Sequence, residues 1–296
     1  MSATLKLAVG SLLVGCLVLG LKALAWWITG SVALLSDALE STVNLATAVA
    51  ALVAIQVAAR PADSNHPFGH HKAEYFSAVL EGVMIIVAAL FIAREAYHGF
   101  LDPHPVTAPV EGLAVNGLAT LLNAVWAFVL VRQGRRLRSP ALEADGKHLW
   151  TDVVTSAGVA VGVVLALVSG WWMLDPLMAA LVALNILWSG SKVVKESLSG
   201  LMDEAVPDRV LTEIREIISC KAEGAVEAHD LRTRLAGKAT FVEFHLVVPG
   251  DMSVFTAHEI CDRVEHAIHD AVPDSRVTIH VEPEHKSKHS GIVVVD

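Results

Sequence analysis

Long apolar runs separated by short polar connections fill the first two thirds of the chain, and the last third changes to amphipathic periodicity. Six runs, near residues 7–29, 32–58, 75–100, 110–131, 148–169 and 174–194, approach or exceed the roughly 20 residues that a helix needs to cross a bilayer. They predict six transmembrane helices. The N-terminal run is long and lacks a small-residue cleavage site, so it reads as a retained first span and not as a signal peptide.

From about Asp203 the pattern is different. VPDRVLTEIREIISC has helical periodicity with Pro207 near its start. AVEAHDLRTRLA and KATFVEFHLVVP read as strands joined by a short turn at Gly237. SVFTAHEICDRVEHAIHDAV reads as an amphipathic helix and SRVTIHVEP as a last strand. The order αββαβ predicts a small sheet covered on one face by two helices, a ferredoxin-like domain. The expected organisation is a membrane domain over residues 1–202, a soluble metal-binding domain over 203–285 and a disordered tail over 286–296.

Polar residues inside the apolar runs are the chemical signal. KHLWTD places His148 and Asp152 four apart where a charged stretch enters the fifth run, and the second run has Glu40 and Asn44 at the same spacing. On a helix, i and i+4 stack on one face. Two such pairs can supply four ligands to one divalent ion, and an imidazole or carboxylate in a membrane segment is costly without a partner, cavity or metal. The other reading of the second run, with Asp37, Glu40, Ser41 and Asn44 on one stripe, is a polar seam between helices. Asp37 is the weaker rival ligand, because its i+4 partner is Ser41. Lys22 receives no function, and Glu81, Asn116 and Asn123 read as inter-helix hydrogen-bonding groups or as the lining of a water path.

Two further groups lie outside the runs. In RPADSNHPFGHHKAEYF, Asp63, His66 and His70 can converge on one ion, with His71 as the spare; equally, they can cap helices in a solvated loop. The predicted strands of the last third contribute His229, His245, His280 and Glu282, and its second helix His258. Lone strand histidines are usually structural, but one on each of three strands of a single small domain points to a metal site.

Composition sharpens this picture. Hydrophobic residues make up 54% of the 296, charged residues only 18%, and mean hydropathy is +0.54. A membrane protein with an attached soluble domain fits those values. A net charge of −9 with 14 histidines argues against nucleic-acid binding and suits cation handling. The three cysteines, Cys16, Cys220 and Cys261, form no CxxC and suggest neither a disulfide framework nor a thiolate zinc site. Lys6, Arg60, Lys72, Arg132, Arg135, Arg136, Arg138, Lys192 and Lys195 fall before the first run, in every second connection and at the end of the sixth run, all on one side of the membrane, with Arg94 the exception. The positive-inside rule then puts both termini in the cytoplasm. Trp26–Trp27 and Trp171–Trp172 fall at the outer interface, as aromatic belts do.

Together these features resemble the cation diffusion facilitator family of divalent-metal/proton antiporters. The resemblance rests on the six runs, SDALES-x-x-N, HPFGHHKAE, H-x-x-x-D opening the fifth run and the αββαβ tail. It implies that Glu40, Asn44, His148 and Asp152 form the transport site and Asp63, His66 and His70 a loop site found in some members. It further implies that His229, His245, His258, His280 and Glu282 form a cytoplasmic-domain site, and that the protein is a homodimer; the orientation of the runs in the lipid bilayer suggests an inner or plasma membrane. One departure stands out: the family's first transport pair is commonly Asp or His followed by Asp, and here it is Glu40 and Asn44.

The expected function is efflux of a divalent transition metal coupled to protons, not enzymatic catalysis. With His148 neutral the four ligands carry about −2, matched to a divalent ion. Histidine and oxygen ligands suit zinc or iron(II) first, with cobalt, nickel, manganese and cadmium also admitted. An intramembrane metalloenzyme would need an open coordination position and a base, and the chain has no H-E-x-x-H motif. A membrane-anchored metal sensor without transport is the remaining alternative, and it leaves the buried ligand-type side chains without a use.

Overall fold

The computed structural model describes residues 3–29, 32–101, 110–171, 173–288 and 291–294. Within them, the side chains at 25, 26, 28, 29, 32–40, 43, 95, 110–113, 116, 156, 158–168 and 175 are not described. The chain divides into two compact units, Met1–Leu198 and Ser199–Asp296.

The first unit is helical: α1 Ala3–Thr29, α2 Val32–Ala58, α3 Ala73–Leu101, α4 Val110–Leu137, α5 Pro140–Ser169 and α6 Leu174–Leu201. Stretches of α1, α3, α4 and α6 are long and apolar enough to cross a membrane. The unit is organised inside out relative to a water-soluble bundle. Leu13, Phe76, Phe91, Leu121, Phe128 and Leu184 are exposed, while Glu81, Asp145, His148, Asp152 and Asn123 are buried. Outward apolar side chains suit lipid, and small residues draw the helices together behind them. Ala8, Ala51, Ala127 and Ala141 line the packed centre of α1, α2, α4 and α5. At Gly146 a Cβ would lie 2.8 Å from the Val131 nitrogen, so α4 and α5 approach closely there because no side chain intervenes. Of the two expected aromatic pairs, Trp27 and Trp171 are exposed; the side chains of Trp26 and Trp172 lie outside those described.

The α4–α5 boundary differs from the hydropathy reading. Both helices run past the apolar stretch, α4 on to Leu137 and α5 starting back at Pro140, where the pattern put a loop over about residues 132–147. Local chemistry explains it. Arg138 has φ 51, with Arg138 N–H on the Arg135 carbonyl and Ser139 N–H on that of Gly134, the two bonds of a Schellman stop. Ser139 then caps α5 by accepting from Leu142 N–H at 3.5 Å, and Pro140 sits in the first turn, where its missing N–H costs nothing. Leu142 and Ala144 are buried, so tertiary packing sustains a turn that hydropathy alone leaves out.

The second unit follows the predicted order with one addition: α7 Asp208–Lys221, β1 Glu227–Ala236, β2 Ala239–Val248, α8 Val254–Ala271, β3 Ser275–Pro283 and β4 Ile292–Val293. The sheet order is β3-β2-β1-β4, with β2 and β3 parallel and the other pairs antiparallel. Alternation decides the faces. Val242, Phe244, Leu246 and Val248 turn toward Ile214 and Ile218 of α7 and Ile260, Val264 and Ile268 of α8. Glu243, His245 and Val247 therefore project to the other face. The segment after Lys286, expected to be disordered, contributes β4 on β1, and its Lys288 N–H binds Glu227 Oε1 at 2.7 Å. Its SGIVVV pattern supplies β-branched residues to an otherwise unpaired strand edge.

Candidate metal sites

In the helical unit, α2 and α5 face one another through the residues singled out by spacing. His148 Nε2 lies 2.9 Å from Asn44 Oδ1, and the Asn44 amide nitrogen donates a short hydrogen bond to Asp152 Oδ2. All three side chains are buried, at 4%, 8% and 7% exposure. One amide thus holds an imidazole and a carboxylate at its two ends. An incoming divalent ion would take over both roles, with the Asn44 carbonyl, the His148 nitrogen and the Asp152 carboxylate as three donors. Glu40 stands one turn before Asn44 on α2 by its backbone, and its side chain lies outside those described.

The α2–α3 connection brings Asp63, His66 and His70 together, with ligand atoms within 4.8 Å of one another. Asp63 accepts from the His66 and Asn65 amides at 2.7 and 2.9 Å, an Asx turn that aims its carboxylate across the loop. Its oxygens lie 3.2 Å from His66 Nδ1 and 3.4 Å from His70 Nε2. Gly69, at φ 89, makes the reversal that returns His70 to Asp63. The His66 amide hydrogen bond holds the Asp63 carboxyl below the usual range, so it stays ionised and ready for a cation in mild acid.

On the face of the sheet away from the helices, His229 pairs in register with His245, and His245 with His280. Their rings form a row, with centroids 5.3 and 4.9 Å apart. Glu282, two residues beyond His280 on the same face, reaches His229 at 3.3 Å and His245 at 3.2 Å. His229 Nδ1 lies 3.0 Å from Glu227 Oε1. Donating Nδ1–H to that carboxylate leaves the Nε2 lone pair turned toward the row, as a carboxylate-backed metal ligand does. His258 does not join them. It sits on α8, against the opposite face of the sheet, and its Nε2 is 3.6 Å from Asp262.

Two contributors were not legible beforehand. Glu227 has a signal, since it lies two residues before His229 on one strand face. Asp230 ought to face the other way, but a bulge between His229 and Arg232, with Asp230 at φ 54, places its carboxylate within 4.8 Å of the His229 and His245 ligand atoms. The Lys288 ammonium, 2.6 Å away, holds the Asp230 carboxyl below its ordinary range.

Comparison with known proteins agrees with this architecture. Residues 8–202 match the cation efflux transmembrane domain, and residues 206–284 match the cytoplasmic domain of cation efflux proteins. The chain belongs to the cation diffusion facilitator family and is an integral membrane cation efflux transporter. An uncharacterized transporter of Synechocystis sp. is 49% identical over 265 residues, covering 90% of this chain and 86% of its own. The cation-efflux pump FieF of Escherichia coli is 32% identical over 278 residues, covering 94% and 92%. A solved structure of CzrB in its zinc form is 46% identical, covering 29% of this chain and 98% of that one, with a TM-score of 0.26.

Proposed function

We propose that this transporter exports a divalent transition metal, zinc or iron(II) in the first place, from the cytoplasm in exchange for protons, using Glu40, Asn44, His148 and Asp152. The observation that carries this reading is the buried, mutually hydrogen-bonded set of His148, Asn44 and Asp152 between α2 and α5. His148, Glu40 and Asp152 must be deprotonated to bind a cation, so metal and protons compete for the same atoms. Alternating exposure of that site to the two sides turns the competition into exchange. All six helices span the bilayer in this reading, both termini lie in the cytoplasm, and the membrane domain ends near residue 202.

The test is metal uptake into proteoliposomes, for zinc, iron(II), manganese, cobalt, nickel and cadmium, with and without a pH gradient. Uptake of one metal that collapses without the gradient is the expected result. Metal binding with no flux under any gradient would replace this reading with the anchored sensor.

The histidine row on the sheet is proposed as a regulatory site of a homodimer, drawing the soluble domains of two copies together when metal is abundant. Replacing His245 and His280 by Ala is expected to flatten the dependence of transport rate on cytoplasmic metal, leaving Asp63, His66 and His70 intact. A double variant with the wild-type metal response would remove the regulatory role.

A further inference from the structure

The helical unit contains a second acidic centre that the four transport ligands do not use. Glu81 on α3 is fully buried, at 0% exposure. Ser77 Oγ lies 3.4 Å from Glu81 Oε1, and among the described residues Oε2 has no hydrogen-bond partner. The charge acting on Glu81 comes from Asp145 of α5, another buried carboxylate, and it is repulsive. Ser11 of α1 donates to Asp145 Oδ2 at 2.5 Å. Asp145 in turn feels the charges of His148 and Asp152. A line of electrostatic coupling therefore runs from the transport site on α5 across to α3.

Among the described residues no cation acts on Glu81, and the favourable charge on Asp145 is that of His148 when protonated. On α6, which also packs on α3, Lys192, Lys195 and Glu196 are exposed, and Lys192 and Glu196 pair with each other. Lys147 of α5 is held by Glu143 and Glu196. On α2, Asp37 and Glu40 have side chains outside those described, and both are acidic. On α3 itself, Glu74 is hydrogen-bonded by Ser139 and Arg94 is exposed. Two buried carboxylates that repel one another cannot both ionise cheaply, which favours a proton on Glu81, whose Oε2 is unpaired among the described residues. A purely structural glutamate would be expected to satisfy both oxygens; one weak contact at 3.4 Å does not offset full desolvation.

We propose that Glu81 is a proton-carrying residue of the exchange cycle, holding a proton while the metal site is empty and releasing it when a divalent ion enters between α2 and α5. This rests on the exchange reading above and extends it. The arriving double positive charge acts on Asp145 directly and on Glu81 through the same low-dielectric interior. The O–H bond of the Glu81 acid breaks, the proton leaves to water, and the carboxylate left behind balances part of the ion's charge. The number of protons exchanged per ion then exceeds what His148, Glu40 and Asp152 supply.

The experiment is calorimetric titration of zinc into the full-length protein in nanodiscs, in two buffers of different protonation heat, which counts protons released per ion. Glu81→Gln, which keeps the shape, is expected to bind zinc and to release fewer protons, by up to one per ion. An unchanged count overturns the assignment. Should that variant fail to fold, infrared difference spectra of the wild type with and without zinc decide. Loss of a protonated-carboxyl band on zinc addition supports the proposal, provided the band leaves the labelled-glutamate set in Glu81→Asp, and a band that zinc does not change overturns it. Absence of gradient-dependent uptake by the wild type would defeat the exchange reading instead, and is read in a separate assay.

Discussion

Asp152→Asn is expected to abolish metal flux while leaving the protein folded. The substitution preserves shape, so packing between α2 and α5 should survive. It removes a carboxylate donor and one of the negative charges that match a divalent ion. It also places two amides side by side, because Asn44 already donates to Asp152 Oδ2. Losing even a group that only supports a ligand costs about 10–100-fold in affinity. Losing the ligand itself should lower the initial uptake rate in proteoliposomes at least about 100-fold. Size-exclusion chromatography of the purified variant checks the fold. A folded variant that moves metal at the wild-type rate would displace the transport site from α5.

The second large effect is structural and belongs to the soluble unit. Phe244 on β2 is buried at 1% exposure among Ile214, Ile218, Ile260, Val264 and Ile268. Phe244→Ala leaves a cavity at the centre of that core and should cost about 3–5 kcal/mol. Small domains have only about 5–15 kcal/mol of stability in total. In scanning calorimetry of the full-length protein, the transition of the soluble unit should fall by on the order of 20 °C. The next residue, His245, is the middle ring of the histidine row. The variant should therefore also lose zinc-induced stabilisation of that unit, since bound metal stabilises only the folded site. A fall under about 5 °C would mean that Phe244 is not a keystone of the core.

Much of this molecule is legible from residue pattern. The soluble domain came through almost whole, because its strands alternate cleanly and Gly237, at φ 54, sits where the hairpin must turn. Pairing His148 with Asp152 on one helix face, and Glu40 with Asn44 on another, required only the helical repeat and the cost of burying polar groups. Where the pattern misled, hydropathy was being asked about backbone geometry. The start of α5 was missed because Ser139–Pro140 is a capping signal embedded among charges, and charges read as loop. His258 lies on α8, and within one chain the alternation of the sheet puts that helix on the face away from the histidine row. The ordered β4 escaped because a two-residue strand carries no periodicity of its own.

Sequence alone determined that apolar helices carry two ligand pairs at one-turn spacing and that a small αββαβ domain carries a histidine on each of three strands. Both follow from local repeats, which every short segment expresses by itself. Tertiary structure decided what those residues meet. Asn44 joins His148 to Asp152 only because α2 lies against α5, and Asp230 reaches the histidine row only through a bulge. Glu81 confronts Asp145 only because α3 packs on α5. Such encounters depend on helix crossings and strand register, which arise from the packing of side chains distant in the chain, and no local repeat encodes them.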